Sequence, residues 1–375
     1  MLANLHFKVS VALITLLSAA PLLGEDNVKL ARLFEEASEM QVTLTGPWRT
    51  IQNYVKRDAL YPAQLSYTGA DGERRTLDVE VEPRGISRRL RLCDFPPLKI
   101  HFDKERTKGT EFRGNGSLKL VTYCKNRDMY EQYYVREFLA YRIYNLLTDY
   151  SFRVRPMFVE YLDSESKGFK TNRFSFLIED IDDVAKRNGL KKLAVPKISY
   201  KTLDPVETSK LGLFQFMIGN VDYATNEGPE DDRCCHNTRL IGTGDYETPR
   251  YSIPYDFDAT GLVDAHYAHP PELLKLRNIR PRLYRGFCRN NDQLPQTVHL
   301  FKAKKPEILD LINNEAQVKQ EGLGALDKHR MFALKQIGFS DARLATLVGV
   351  TEQELREQRH QLNVRPVYKR VDTCA

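Results

Sequence analysis

Three kinds of acidic or amide group recur within one short part of the chain. Asp222 sits in Gly219-Asn220-Val221-Asp222, Asn237 follows a polar insertion from Tyr223 to Cys235, and Asp256 and Asp258 lie in Pro254-Tyr255-Asp256-Phe257-Asp258-Ala259-Thr260-Gly261. Phosphoryl transfer needs this inventory. One carboxylate orients a hydroxyl nucleophile and accepts its proton, while an amide and a second carboxylate hold magnesium, or manganese, against the phosphates of ATP. Magnesium takes oxygen ligands and keeps several waters, so two protein groups suffice. Upstream, Lys119 in a strand-like run and Glu137 in a strong helical run have the order of the lysine and glutamate that position nucleotide phosphates in kinases. Plainer readings stand beside these. A lysine alternating out of a strand, or a glutamate on a helix, is commonly a solvated surface group, and Asn and Asp are favoured wherever chains reverse.

Other residue groups carry weaker chemistry. Arg88, Arg89 and Arg91 could hold phosphate oxygens bidentately, although a basic edge strand facing solvent is the simpler expectation. His266 and His269, just before Pro270-Pro271, could join His236 at a metal, but two histidines in a loop read better as surface residues. The six cysteines are Cys93, Cys124, Cys234, Cys235, Cys288 and Cys374, with no CxxC spacing among them. In an oxidising compartment they are expected to pair: Cys93 with Cys124, and Cys288 with Cys234 or Cys235, though spacing alone does not fix connectivity.

The elements that must position these groups are legible from periodicity. Alternation predicts strands at 41–45, 76–81, 98–102 and 118–122, separated by turn residues at 69–72 and 114–116. Residues Tyr130–Leu147 contain no Gly or Pro and place Val135, Phe138, Leu139, Arg142 and Ile143 along one side, which predicts a helix. Further strands are expected at 157–162, 174–178, 238–241 and 251–254, with helices at 30–40 and 207–218. A β-rich part thus leads into a helix-rich part. The composition turns charged and helical beyond about Ala303, with breaks at Gly338 and Gly349, and a boundary is expected within 305–325.

The order of Arg84-Gly85, Phe95-Pro96-Pro97-Leu98-Lys99-Ile100, Leu118-Lys119-Leu120-Val121, the Tyr130–Leu147 helix, Phe174–Asp183, Asn220-x-Asp222, Asn237 and Asp256-x-Asp258 resembles the CotH family of atypical kinases over roughly residues 40 to 300. The resemblance implies an α+β, two-lobed protein-kinase-like fold. It also implies that Asp222 is the catalytic base and Asp256 a metal-binding carboxylate, with Asp258 as a second. The chain departs from that pattern in its lengthened loop at Tyr223–Cys235. The tail, from about Asn313 through Pro366-Val367-Tyr368-Lys369-Arg370-Val371-Asp372-Thr373-Cys374-Ala375, resembles a segment of the carbamoyl-phosphate synthase large subunit. Bottom-up, Ala342–Leu362 reads as a pair of amphipathic helices able to pack on a partner or on the body.

Composition bounds the function classes. With 42% hydrophobic residues the chain can bury a substantial core, and a net charge of +6 from 56 basic and 50 acidic residues, without a concentrated basic block, argues against a nucleic-acid partner. Lys8 precedes an apolar run from Val9 to Leu23, followed by Glu25 and Asp26, which is the layout of a secretory signal. About fifteen apolar residues fall short of the roughly 20 that cross a bilayer, so cleavage near residue 24 and no remaining membrane span are expected. The expected domains are a signal at 1–24, a CotH-like body at 25–310 and a helical tail at 311–375. The leading functional expectation is an exported kinase, or degenerate kinase, in the periplasm, cell envelope or medium, acting with magnesium and ATP on an unknown protein or small-molecule acceptor. The alternatives are a non-catalytic envelope or extracellular binding protein and, through the tail, a fragment or relative of the synthase subunit.

Overall fold

The computed structural model describes residues 32–365, apart from 36, 37, 70, 167, 229–233, 245, 313–321, 337, 338 and 340. The expected signal at 1–24 and the end of the tail from Pro366, with Cys374, lie outside the described residues. No helix among the described residues is long and apolar enough to cross a membrane.

The body is mixed α+β, built around a closed seven-stranded barrel of order β1-β2-β3-β4-β5-β7-β6. Its strands are β1 (Met40–Gly46), β2 (Tyr61–Thr68), β3 (Arg74–Pro83), β4 (Leu98–Phe102), β5 (Ser117–Val121), β6 (Val154–Asp163) and β7 (Lys170–Ile178). All neighbours pair antiparallel except β1 and β6, which run parallel from Met40↔Met157 to Gly46↔Asp163 and close the ring. The two-residue period explains the strands. In β3, Leu77, Val79 and Val81 are buried while Thr76, Asp78 and Glu80 are exposed. Closure removes the unpaired edges that an open sheet would present. Helix α2 (Trp48–Asn53), following the short α1 (Arg32–Glu35), buries Trp48 and Ile51. Trp48 packs edge-on against Phe95 and Tyr161, with ring centroids 5.6 and 5.9 Å away, and Phe95 stacks on Tyr123 at 4.6 Å. Each such side chain contributes about 1.5–3 kcal/mol through burial.

Helix α3 (Asp128–Asn145) lies against β6 and β7. Its burial exceeds the single apolar side expected from sequence: Tyr134, Glu137, Ala140, Tyr141 and Tyr144 are all buried, so the helix is enclosed on several sides. After α4 (Ile181–Arg187), helix α5 (Pro205–Ile218) starts where Asp204 accepts the Glu207 N–H at 2.8 Å, with Pro205 in the first turn. It ends at Gly219, whose φ of +66° makes the left-handed cap. A three-stranded sheet of order β10-β9-β8 follows, from β8 (Lys191–Lys192), β9 (Thr238–Gly242) and β10 (Arg250–Pro254). Barrel, α3, α5 and the β9–β10 hairpin share one apolar core that includes Phe176, Phe214, Ile253 and Phe257. Helix α6 (Leu294–Ala303) packs on α5.

The tail has a separate core. Helices α7 (Lys328–Gln336), α8 (Asp341–Val348) and α9 (Glu352–Gln361) enclose Leu326, Met331, Leu334, Leu344, Ala345, Leu355 and Val364. Gly349, at φ +75°, lies in the turn just after α8, and a capping box between Thr351 and Glu354 starts α9. The expected pair of amphipathic helices is therefore present, with the two packed on each other.

Two sequence expectations are corrected here. The helix expected over 30–40 is described as helical only at Arg32–Glu35, and Met40 opens β1 because Met40, Val42 and Leu44 alternate into the barrel. The stretch at Arg88–Leu92 is not an edge strand but a π-helical turn in which Arg88 and Arg89 are buried. Strand β2 and helices α2 and α4 were not anticipated.

Candidate functional site

The site is assembled where the barrel meets the β9–β10 hairpin. Register places its parts: Pro254 pairs with Thr238, and one residue further the Tyr255 N–H donates to the Asn237 carbonyl at 3.0 Å. Asn237 and the residue after Tyr255, Asp256, therefore flank the open end of the hairpin. Both adopt left-handed backbone, φ +50° and +63°, a conformation that Asn and Asp tolerate better than most residues. The Asp256 N–H donates to the Tyr141 hydroxyl of α3 at 3.0 Å, which pins this loop to the helix.

From the opposite side, the turn after Gly219 delivers Asp222. Buried Asn220 donates to Gln215 at 3.0 Å and accepts the Asp222 N–H at 2.9 Å, fixing that turn. The Asp222 carboxylate is held at both oxygens: the His236 Nε2 is 2.7 Å from Oδ1, and the Asn237 Nδ2 donates to Oδ2 at 3.1 Å and to the Asp222 carbonyl at 2.7 Å. The hydrogen bond to Asp222 raises the His236 pKa, against the opposing effect of burial. Each carboxylate oxygen keeps a second acceptor direction, so Asp222 can still receive a hydroxyl proton.

Glu137 is buried in α3, and its partner is Arg88. The guanidinium donates to Glu137 Oε2 at 2.5 Å and to Asp258 Oδ2 at 2.8 Å. Burial opposes the charge on Arg88, but Asp258 and Glu137 outweigh it and keep the group protonated. Burial pushes Glu137 up to about 7, with Arg88 pulling it down and Asp258 and Asp256 adding to the rise. The same causes raise Asp256: burial first, then Asp258, opposed by Arg88 and Arg84. Among the described residues, no side chain or backbone group donates to the Asp256 carboxylate.

A cationic side faces this acidic one. Lys119, on β5, lies 4.8 Å from the centre of the Tyr255 ring, and the Arg239 guanidinium lies 4.6 Å from the same ring. Burial, followed by Arg84 and Arg239, pulls the Lys119 pKa down to about 7, while Asp256 and Asp180 oppose the shift. Neither Lys119 nor the Arg84 side chain forms an ion pair among the described residues.

The sequence-derived site residues thus converge, with one rearrangement. Asp222 and Asn237 are in direct contact, and Lys119, Asp222, Asp258 and Glu137 all act electrostatically on Asp256 or are acted on by it. The rearrangement is at Glu137, which was expected with Lys119 on nucleotide phosphates and is paired with Arg88 instead. Arg89 turns away to Asp58 and the Val55 carbonyl. His236, Arg84, Arg239 and Tyr255 were missed as members of the site, although His236 and Tyr255 are sequence neighbours of residues that were named. His266 has both ring nitrogens 3.2 Å from the hydroxyls of Tyr130 and Tyr133, so it does not join His236.

The donor set admits a hard divalent cation only in a sparse form. Among the described residues no three His, Cys, Asp or Glu side chains converge as a metal cluster. What is present is the unpartnered Asp256 carboxylate, Asp258 with one oxygen engaged by Arg88, and the Asn237 amide oxygen. That suits magnesium completed by waters and phosphate oxygens.

Cys93 and Cys124 are bonded, with their Cα atoms 4.4 Å apart, as expected. The expected pairing of Cys288 is overturned: Cys234 and Cys235 are joined to each other, and the Cys288 thiol is exposed and free.

Comparison with known proteins finds a similarity confined to the tail region. Residues 306–363 match the family described as carbamoyl-phosphate synthetase large chain, oligomerisation domain. The match begins somewhat before Asn313, where the resemblance was read from sequence. Carbamoyl phosphate synthase large chains of Pseudomonas syringae and Pseudomonas aeruginosa are 61% and 59% identical to this chain over 69 residues, which is 18% of this chain and 6% of each relative. The large chain of Xanthomonas campestris is 54% identical over 69 residues. The chain therefore spans about 6% of the length of these relatives. The family match falls wholly outside the residues of the site.

Proposed function

We propose that the body is a kinase-like phosphoryl-transfer protein of the CotH type, acting after export on a hydroxyl-bearing acceptor. The observation that carries this reading is the opposition of the unpartnered Asp256 carboxylate to unpaired cations at Lys119 and Arg84. A carboxylate with free oxygens can take a metal, and cations without counter-ions can take phosphate oxygens. A nucleoside triphosphate carrying magnesium supplies both partners at once, and the bound cation would lower the repulsion among Asp256, Asp258 and Glu137.

In this reading Lys119, Arg84 and Arg239 hold phosphate oxygens, and the first two would otherwise repel each other. Asp256 holds the metal, with Asp258 and Asn237 beside it. Asp222 orients the acceptor hydroxyl and accepts its proton, and His236 and Asn237 fix the rotamer of that carboxylate. Glu137 does not reach the phosphates; it anchors Arg88, which in turn fixes Asp258. Charge stabilisation and positioning are the main contributions a protein makes to this chemistry.

Conversion of ATP to ADP, with label incorporated into protein or released as phosphate, tests the assignment of the base. Asp222→Asn should retain magnesium-dependent nucleotide binding and lose about 10²–10⁴-fold in turnover. Unchanged turnover in that variant would remove Asp222 from the role. A second reading is favoured by the engagement of both Asp222 oxygens: an envelope binding protein that holds the nucleotide without transfer, for which parent and variant would show equal, negligible turnover.

A further inference from the structure

We propose that residues 48–60 and 84–94 together form a docking surface for an extended acidic segment with interspersed apolar side chains. On the phosphoryl-transfer reading, on which this point rests, that segment presents the acceptor hydroxyl to the site. The two stretches are tied into one surface. Arg89 donates to the Val55 carbonyl at 2.5 Å and to Asp58 at 2.6 Å, and Gln52 donates to the Asp94 carbonyl at 2.9 Å. The surface is also fastened to the site itself, because Arg88 in the same turn reaches inward to Glu137 and Asp258 while Cys93 is bonded to Cys124.

Its outer side is unusual in two respects. Ile86 is 73% exposed, Leu60 49%, Tyr54 45% and Leu90 43%, so four large apolar side chains face solvent on two short linked segments. Singly exposed apolar residues are ordinary; a concentration of them marks an interaction site. Of the seven Lys or Arg residues in these stretches, Arg88 and Arg89 are buried and already paired and Arg84 is half-buried, which leaves Arg49, Lys56, Arg57 and Arg91 exposed against Asp58 and Asp94. Asp58 is already paired with Arg89, whereas the exposed side chains of Lys56 and Arg91 form no ion pair among the described residues. Positive charge beside exposed apolar groups complements a chain of acidic and apolar residues, and complementary charge sets both the encounter and the choice of partner. An anionic lipid surface shares part of this chemistry. The peptide is favoured because the helical pieces of this surface, six residues in α2 and five at Arg88–Leu92, are too short to lie along a membrane interface, and the apolar side of α2, Trp48 and Ile51, is already buried in the body.

The test is fluorescence anisotropy with the full chain and a synthetic peptide alternating Glu and Leu around one Ser, against the same peptide with Lys in place of Glu and against phosphatidylglycerol vesicles. The acidic peptide should bind at least about ten-fold more tightly than the basic one and weaken as salt is raised. Ile86→Asp and Leu90→Asp should each weaken it about ten-fold or more, and Lys56→Glu with Arg91→Glu about three- to ten-fold, all with magnesium-ATP binding unchanged. Equal binding of the two peptides, unaltered binding by Ile86→Asp, or preference for the vesicles would each overturn the proposal. Nucleotide binding separates the two ideas. Peptide binding that Ile86→Asp abolishes, in a protein that binds no nucleotide, supports the docking surface and defeats the phosphoryl-transfer reading, whereas nucleotide binding without peptide binding defeats the docking surface alone.

Discussion

Two buried charge clusters, one in the body and one in the tail, use the same kinds of residue to opposite effect. In the tail, Asp341 receives Arg359 Nε at 2.9 and 3.0 Å and Nη2 at 2.9 Å, with Lys335 at 3.1 Å. One carboxylate thus has two hydrogen-bonded cations and a third, Arg356, 3.7 Å away, and although burial pushes Asp341 up, Arg359 and Lys335 hold it below the usual carboxylate range. In the body, one guanidinium, Arg88, serves Glu137 and Asp258, while the Asp256 carboxylate accepts no hydrogen bond among the described residues. There burial and mutual repulsion win, and Glu137 and Asp256 are raised. The ratio of cations to anions distinguishes them. A cluster rich in cations closes the tail core with its carboxylate ionised, whereas one short of cations leaves the carboxylates of the body raised.

The comparison is broken most severely by removing each arginine. Arg88→Ala leaves Glu137 buried without its partner and should cost about 3–5 kcal/mol, read as a loss in the main unfolding transition in urea. Arg359→Ala should cost the tail a similar amount, but hydrogen exchange should show increased opening confined to residues 322–365, with the barrel amides unchanged. Equal opening of the barrel would mean that the two clusters belong to one cooperative unit. A smaller effect sharpens the asymmetry: Glu137→Gln in the Arg88→Ala background should recover about 1–3 kcal/mol, since it removes a buried charge that has no partner.

The pH dependence should also separate the regions. Glu137 is raised to about 7 in the folded state, so its contribution is fully present below its unfolded value and is lost as pH rises through about 7. Raised Asp256 and His236 act in the same direction. The body should therefore become more stable as pH falls from 8 to 5, by thermal unfolding. Depressed Asp341 has the opposite sign: its contribution is present above the unfolded aspartate value and lost as pH falls through the folded one, so the tail should weaken only in stronger acid. Within the body an effect of opposite sign is expected at Lys119. Its folded value of about 7 means that the parent gains stability relative to Lys119→Met between pH 7 and 10, where the unfolded lysine is still protonated.

Much of the frame was readable because it rests on local periodicity. The alternation of Leu77, Val79 and Val81 and the Gly- and Pro-free run around Tyr141 announce β3 and α3 whatever packs on them. The acidic half of the site was readable because Asp222, Asn237 and Asp256 mark the ends of successive elements. What escaped the sequence depends on long-range closure. Nothing local tells that Arg88 reaches Glu137 and Asp258, 49 and 170 residues away. Strand β2 was hidden by Pro62 and by polar residues on its outer face, and Cys288 looked paired because spacing cannot show that Cys234 and Cys235 are joined to each other.

The central claim, that the body's under-compensated acidic cluster and its unpaired cations together receive a metal-bearing nucleotide, is tested most directly by calorimetric titration of the full chain with ATP, with and without magnesium, in the parent and in Asp256→Ala. Magnesium-dependent binding in the parent that falls at least about ten-fold in Asp256→Ala is the predicted result. Absence of binding at millimolar nucleotide, or binding indifferent to both magnesium and Asp256, would contradict it.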